Sequence, residues 1–175
     1  MPFGDVRSFE GCGANGPKFS PNDMEPLRLP SYVANMNDAE RVLRAGAALL
    51  DAKLKPLGFS FVVTSRGSSS GGNFAEGYFG SGDRELWLSY RHSLGLVRYR
   101  KAKVELSHEQ YMRALHLRSV ARYPGFSNDP MAAFVDLLAD LDHCDSFLLD
   151  DGNAFEKLAL SYIDPPKGFT RLGHE

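Results

Sequence analysis

Two cysteines in 175 residues, Cys12 and Cys144, exclude a disulfide framework, and 43% hydrophobic against 24% charged residues excludes an intrinsically disordered composition. A net charge of −2 and a pI near 6.2 argue against a dedicated nucleic-acid binder, which carries a clear basic surplus. At this length one domain with a real hydrophobic core is expected, no apolar run is long enough to cross a bilayer, and the opening residues lack a basic stretch leading into an apolar one, so the expected location is cytoplasmic.

Residues 1–36 are rich in glycine and proline without a sustained period and are predicted to be a largely irregular extension. Met24 offers an alternative start, and Phe3, Phe9 and Phe19 could instead dock on the body. The first regular element is predicted from Asn37, an N-cap with Glu40 three residues on as capping-box partner. Val42, Leu43, Gly46, Leu49, Leu50 and Leu54 form its apolar side, and Glu40, Arg41, Arg44, Asp51 and Lys55 its polar side. Pro56 stops it.

The period then changes from 3.6 to 2. Strands are predicted at Phe59–Thr64, Phe74–Phe79, Leu86–Tyr90 and Leu94–Tyr99, joined by a Gly/Ser-rich loop over Arg66–Asn73 and by short links at Ser81-Gly82-Asp83 and Arg91-His92-Ser93. Such links make an antiparallel meander of four strands. Leu86, Leu88 and Tyr90 point to the core, and Glu85, Trp87, Ser89 and Arg91 to the other face. A helix capped by Ser107 and Gln110 is expected to run through Tyr111, Met112, Leu115, Leu117 and Val120 to Tyr123-Pro124-Gly125. A second, capped by Ser127 or Asn128 with Pro130 near its start, buries Phe134, Leu137, Leu138 and Leu141, and a third spans about Asn153–Tyr162. The fold class is α+β: one domain over residues 37–163, one helix before the sheet and about three after it on one face, then a loose tail over 164–175. Val42, Leu49, Leu50, Phe61, Leu86, Leu88, Leu115, Phe134, Leu137, Leu138 and Leu141 are the expected core.

Charge is sorted along the chain. From Arg84 to Arg122 nine Lys/Arg face three acids, whereas Pro124 to Glu156 holds eight acids and neither Lys nor Arg. Opposed blocks either pair within a fold or present a field to a partner. Asp129, Asp136, Asp140, Asp142, Asp145, Asp150 and Asp151 are therefore the candidate contact residues for a basic protein partner, with Asp136 and Asp140 opposite the apolar stripe. Asp136, Asp140 and His143 share metal-ligand spacing, but a polar helix face accounts for them, and no metal or other cofactor is expected.

His143-Cys144-Asp145 sets a thiol beside a base and an acid, yet helix neighbours point about 100° apart, so Cys144 reads as a half-buried small residue. His92, and His108 with Glu109, read as exposed polar residues. Arg98-Tyr99-Arg100-Lys101-Ala102-Lys103 alternates charge with an aromatic, as a strand tracking a nucleic acid would; charges guarding an edge strand fit a net acidic chain better.

In size and charge layout alone, the chain resembles nuclease inhibitors and toxin-neutralising immunity proteins of bacteria. That resemblance implies a non-catalytic domain with an acidic helical face against a basic protein. Two alternatives stay open. One is a small enzyme acting on an anionic substrate near the Gly/Ser loop, through Arg66, Ser69, Gly71, Arg91 and His92; the other is a small-ligand pocket between sheet and helices. Nothing in the sequence specifies an oligomeric state.

Overall fold

The computed structural model describes residues 37–124, 129–149 and 152–163; the extension, the tail, and the capping candidates Ser127 and Asn128 lie outside them. Helix α1 spans Asp38–Leu54, and the Asn37 side chain accepts the Glu40 amide at 2.8 Å. The reciprocal half of the capping box does not form, because the Glu40 carboxylate is drawn to Arg44 and Arg66. Glu40, expected on the polar side, is fully buried. Ala39, Leu43, Gly46, Ala47, Leu50 and Leu54 face inward. A 3-10 turn over Lys55–Leu57 follows, and Gly58 leaves it at φ 82°, a left-handed conformation that glycine adopts without a Cβ penalty.

The sheet has five strands, β1 (Ser60–Ser69), β2 (Gly72–Ser81), β3 (Arg84–Tyr90), β4 (Leu94–Lys101) and β5 (Val104–Ser107), ordered as in the chain and antiparallel throughout. Two expectations change. The fifth strand, entered through Ala102 at φ 51°, is four residues long, too short to display a period. The Gly/Ser segment is not a loop: the ladder runs from Ser65 opposite Glu76 to Ser69 opposite Gly72, leaving only Ser70 and Gly71 to turn. Main-chain hydrogen bonds need no particular side chain, and the Phe74 ring covers Gly67, where an added Cβ would meet it at 3.0 Å.

A bulge between Val63 and Ser65 resets the alternation in β1. Phe61 faces the core opposite Phe79, and beyond the bulge Arg66 comes to the same side opposite Ala75, where it reaches Glu40.

Helix α2 covers only His108–Ala114. Its capping box is complete: Ser107 Oγ accepts the Gln110 amide at 3.2 Å, and Gln110 Oε1 accepts the Ser107 amide at 2.8 Å. The expected extension to Tyr123 fails because the helix closes on itself. The Leu117 amide bonds back to Met112 O at 2.8 Å and the His116 amide to Arg113 O at 3.1 Å, with His116 at φ 60°. This paired closure normally uses glycine at the left-handed residue, so a histidine there leaves no visible stop. His116→Gly is therefore expected to stabilise the fold by about 1 kcal/mol, raising Tm by a few degrees in a thermal melt. An unchanged or lower Tm would mean that the imidazole offsets the strain.

Helix α3 (Ala132–Asp140) starts after Asp129, whose carboxylate accepts the Met131 amide at 2.9 Å. It runs into a 3-10 turn over Leu141–His143, the four-residue α4 (Asp145–Leu148) and finally α5 (Ala154–Ile163). Leu50, Leu86, Leu88, Phe134, Leu137 and Leu141 are core as expected, whereas Val42, Leu49, Phe61, Leu115 and Leu138 sit at its margin. Tyr99, Tyr111, Phe147 and Phe155 complete the centre in edge-to-face contacts with centroids 4.8–5.2 Å apart. Burial alternates residue by residue along β3, so the face carrying Tyr78, Glu85, Trp87, Arg98 and Arg100 points away from the helical layer.

Candidate functional site

The most concentrated side-chain chemistry lies inside the core. Tyr99 Oη and His108 Nδ1 are 2.8 Å apart, and His108 Nε2 lies 3.0 Å from Asp140 Oδ2. The Asp140 carboxylate also accepts the Arg122 and Tyr123 amides, each at 2.8 Å. Cys144 Sγ sits 3.7 Å from Tyr99 Oη. None of the four side-chain-bearing residues is more than 2% exposed. This corrects three expectations: Asp140 is not on an exposed acidic face, His108 is not an exposed first-turn residue, and Cys144 is wholly buried. Asp140 follows Leu137 by three residues, about 60° round the helix, so it belongs to the inward stripe and not opposite it.

Burial pushes the Asp140 carboxyl upward, but the hydrogen bonds from His108, Tyr123 and Arg122 outweigh it and hold the group below the usual aspartate value. Burial likewise drives the Cys144 thiol up to about 12, so at neutral pH it is not a thiolate nucleophile. A Tyr–His–Asp chain sealed from solvent braces α2, α3 and the 121–123 segment against β4. It is structural.

Of the other candidate acids, Asp129, Asp142 and Asp145 are exposed, Asp136 is half-buried, and Asp150 and Asp151 lie outside the described residues. Asp142 pairs with Lys53, whose hydrogen bond and charge hold its carboxyl below the ordinary range. Among the described residues no group of three His, Cys, Asp or Glu could hold a metal, and Asp140 is already committed. The two charge blocks touch where Lys101, buried to 4% exposure, meets Glu156 at 3.3 Å. Arg98 and Arg100 sit on the opposite face of the sheet, against Glu105 and Glu85. Tyr99 points into the core between them, and β5 pairs along β4, so these charges do not guard an edge strand as expected.

The residues of the alternative anion site divide. Arg66 is spent on Glu40, whose carboxyl burial would raise but which the hydrogen bonds of Arg66 and Arg44 bring below its usual value. Ser69 Oγ accepts the Gly71 amide at 3.3 Å. Gly71, Arg91 and His92 do converge: His92 Nε2 is 2.9 Å from Gly71 O, and the Arg91 guanidinium stands 5.7 Å from the Phe74 ring centroid. Arg91 and His92 border a cleft of about 290 Å³ with Asp38, Ala39, Val42, Asn73 and Tyr90, and Gly71 lies beside it, against Arg91 and His92. A second groove, of about 570 Å³ between α1 and α3, is lined by Val135, Leu138 and Ala139 together with Lys53 and Asp142.

The outward face of the sheet carries an ordered cluster that the sequence does not announce. Tyr78 and Trp87, paired across β2 and β3, stack with centroids 4.9 Å apart at 27°. Arg100 lies over Trp87 at 5.2 Å, and Trp87 Nε1 donates to Glu85 at 2.7 Å. Arg100 bonds Glu85 at 3.1 Å and Glu105 at 3.0 Å, and Arg98 bonds Glu105 at 3.1 Å. Burial would raise the Glu105 carboxyl, but its two arginines hold it below the usual glutamate value. Val62 and Leu96 extend the surface, 46% and 43% exposed. The signal in the sequence was Trp87 on the polar side of an alternating strand; its stacking partner is fixed only by register. Comparison of the chain with protein-family models, with curated proteins and with solved structures finds no match, so function must be read from this geometry.

Proposed function

We propose that this chain is a non-catalytic protein-binding domain whose contact surface is the outward sheet face centred on Tyr78, Trp87 and Arg100. The stacked Tyr78–Trp87 pair under the Arg100 guanidinium carries the reading. Tyrosine, tryptophan and arginine dominate the energetics of protein interfaces, and side chains held on adjacent strands lose little entropy on binding. Glu85 and Glu105 already neutralise Arg98 and Arg100, which disfavours nucleic acid because phosphate contacts need uncompensated cations. An inhibitor or immunity-type role, in which a stable scaffold covers the working surface of another protein, is compatible with such a face.

The second reading keeps the basic partner at the helical layer. It is favoured by Asp136 and Asp145, which make no ion pair among the described residues. Affinity capture from the native host with wild type, Trp87→Ala and a double Asp136→Lys/Asp145→Lys variant separates the two, each variant first checked for an unchanged melt. The expected result is loss of the captured protein with Trp87→Ala, by about 2 kcal/mol or roughly thirtyfold in Kd, and retention with the charge reversals. The opposite pattern moves the interface to the helices. Retention by both variants overturns both readings.

A further inference from the structure

The meander brings the tips of the β1–β2 and β3–β4 hairpins to one end of the sheet, where α1 begins. Asn37 locks this junction, its side-chain amide donating to Gly67 O at 3.0 Å and to Phe74 O at 3.3 Å. The cleft of about 290 Å³ lies here. Ala39, Val42 and the Tyr90 ring give it an apolar wall, and Asp38, Asn73, Arg91 and His92 supply its polar groups.

Two consecutive glycines make room for the cationic side. A Cβ at residue 71 would overlap Arg91 Nη1 and lie 3.3 Å from its Cζ, and one at residue 72 would lie 2.9 Å from His92 Cε1. Gly72 also has φ 91°, which other residues rarely adopt. The guanidinium is thus seated between the bare turn and the Phe74 ring face, which leaves its edge donors for another group.

Charge at this end is unbalanced. Asp38 is matched by Arg41 at 2.8 Å and Glu40 by Arg44 and Arg66, whereas Arg91 makes no ion pair among the described residues. The Asn73 side-chain amide likewise has no hydrogen-bond partner among them. A half-walled cleft with a pre-seated guanidinium, a spare amide and an apolar side matches a small ligand with one anionic end.

We infer that this cleft binds a small molecule carrying a carboxylate or phosphate group, with Arg91 holding the anion, Asn73 assisting, and Val42 and Tyr90 covering the remainder. The site is separate from the sheet face and does not depend on it. The test is a titration of ¹⁵N-labelled full-length protein with acetate and, separately, inorganic phosphate, at constant ionic strength against sodium chloride, following the Arg91 Nε–H, Asn73, Gly71 and His92 signals.

Saturable shifts with a midpoint on the order of millimolar are expected for one of the two anions, and which one responds assigns the ligand class. Arg91→Gln should weaken binding by about tenfold or more, and Arg118→Gln, at an exposed position away from the cleft, should leave it unchanged. Gly71→Ala adds an independent arm. Its backbone is not left-handed and the overlapping atom is the far end of a long side chain, so the fold should survive while the guanidinium is displaced and binding weakens. Shifts equal to those with chloride, or wild-type binding by Arg91→Gln or Gly71→Ala, overturn the assignment.

Discussion

Asp140→Ala is expected to destabilise the protein by about 3–5 kcal/mol, a large share of the total for a domain of this size. The substitution removes the acceptor of His108 Nε2, 2% exposed, and of the Tyr123 amide, 8% exposed, together with that of the Arg122 amide beside them. Tm should fall by roughly 10 °C or more. The wild-type protein should also show an acid limb that Asp140→Asn lacks. The folded-state pKa of Asp140 is depressed below its ordinary 3.8, so the carboxylate's contribution is complete above the unfolded value and disappears as pH falls through the folded one. Denaturant melts between about pH 5 and pH 2 should therefore show a steeper loss in wild type than in Asp140→Asn. Equal slopes, or a Tm change within about 2 °C for Asp140→Ala, would show that the network is not the brace described here.

Gly46→Ala is expected to destabilise as well, against the usual gain of about 1 kcal/mol for replacing a mid-helix glycine. An added Cβ would lie 2.5 Å from Cγ of the Phe134 ring and closer still to Cδ1 and Cε1. That ring is fully buried and stacked on Tyr90 at 6.2 Å, so it cannot swing aside without moving the core. The net cost should be about 1–3 kcal/mol, and more for Gly46→Leu. A double-mutant cycle isolates the cause. In a Phe134→Ala background, itself costly, Gly46→Ala should become neutral or stabilising, because the clash is gone and only helix propensity remains. The same penalty in both backgrounds would place the strain elsewhere in α1.

What the sequence determined by itself is local. Asn37 and Ser107 mark helix starts because a cap bonds within four residues, and the strand–turn–strand rhythm from Phe59 to Tyr99 is legible because side chains alternate on an extended backbone. Inward positions such as Leu50, Leu86 and Phe134 follow from the same periodicities. What only the tertiary structure decided depends on partners distant in the chain. Glu40 and Asp140 look like surface carboxylates until Arg66, His108 and the 122–123 amides approach from elsewhere and make their burial tolerable. The Gly/Ser stretch becomes strand because β2 offers it a complete ladder, and the helix stops at His116 in a left-handed conformation against the local preference of a histidine. The two candidate surfaces are of the same kind. Tyr78 meets Trp87, and Arg91 meets Gly71, through strand register, which is set by pairing across the whole sheet and leaves no mark on any short window of sequence.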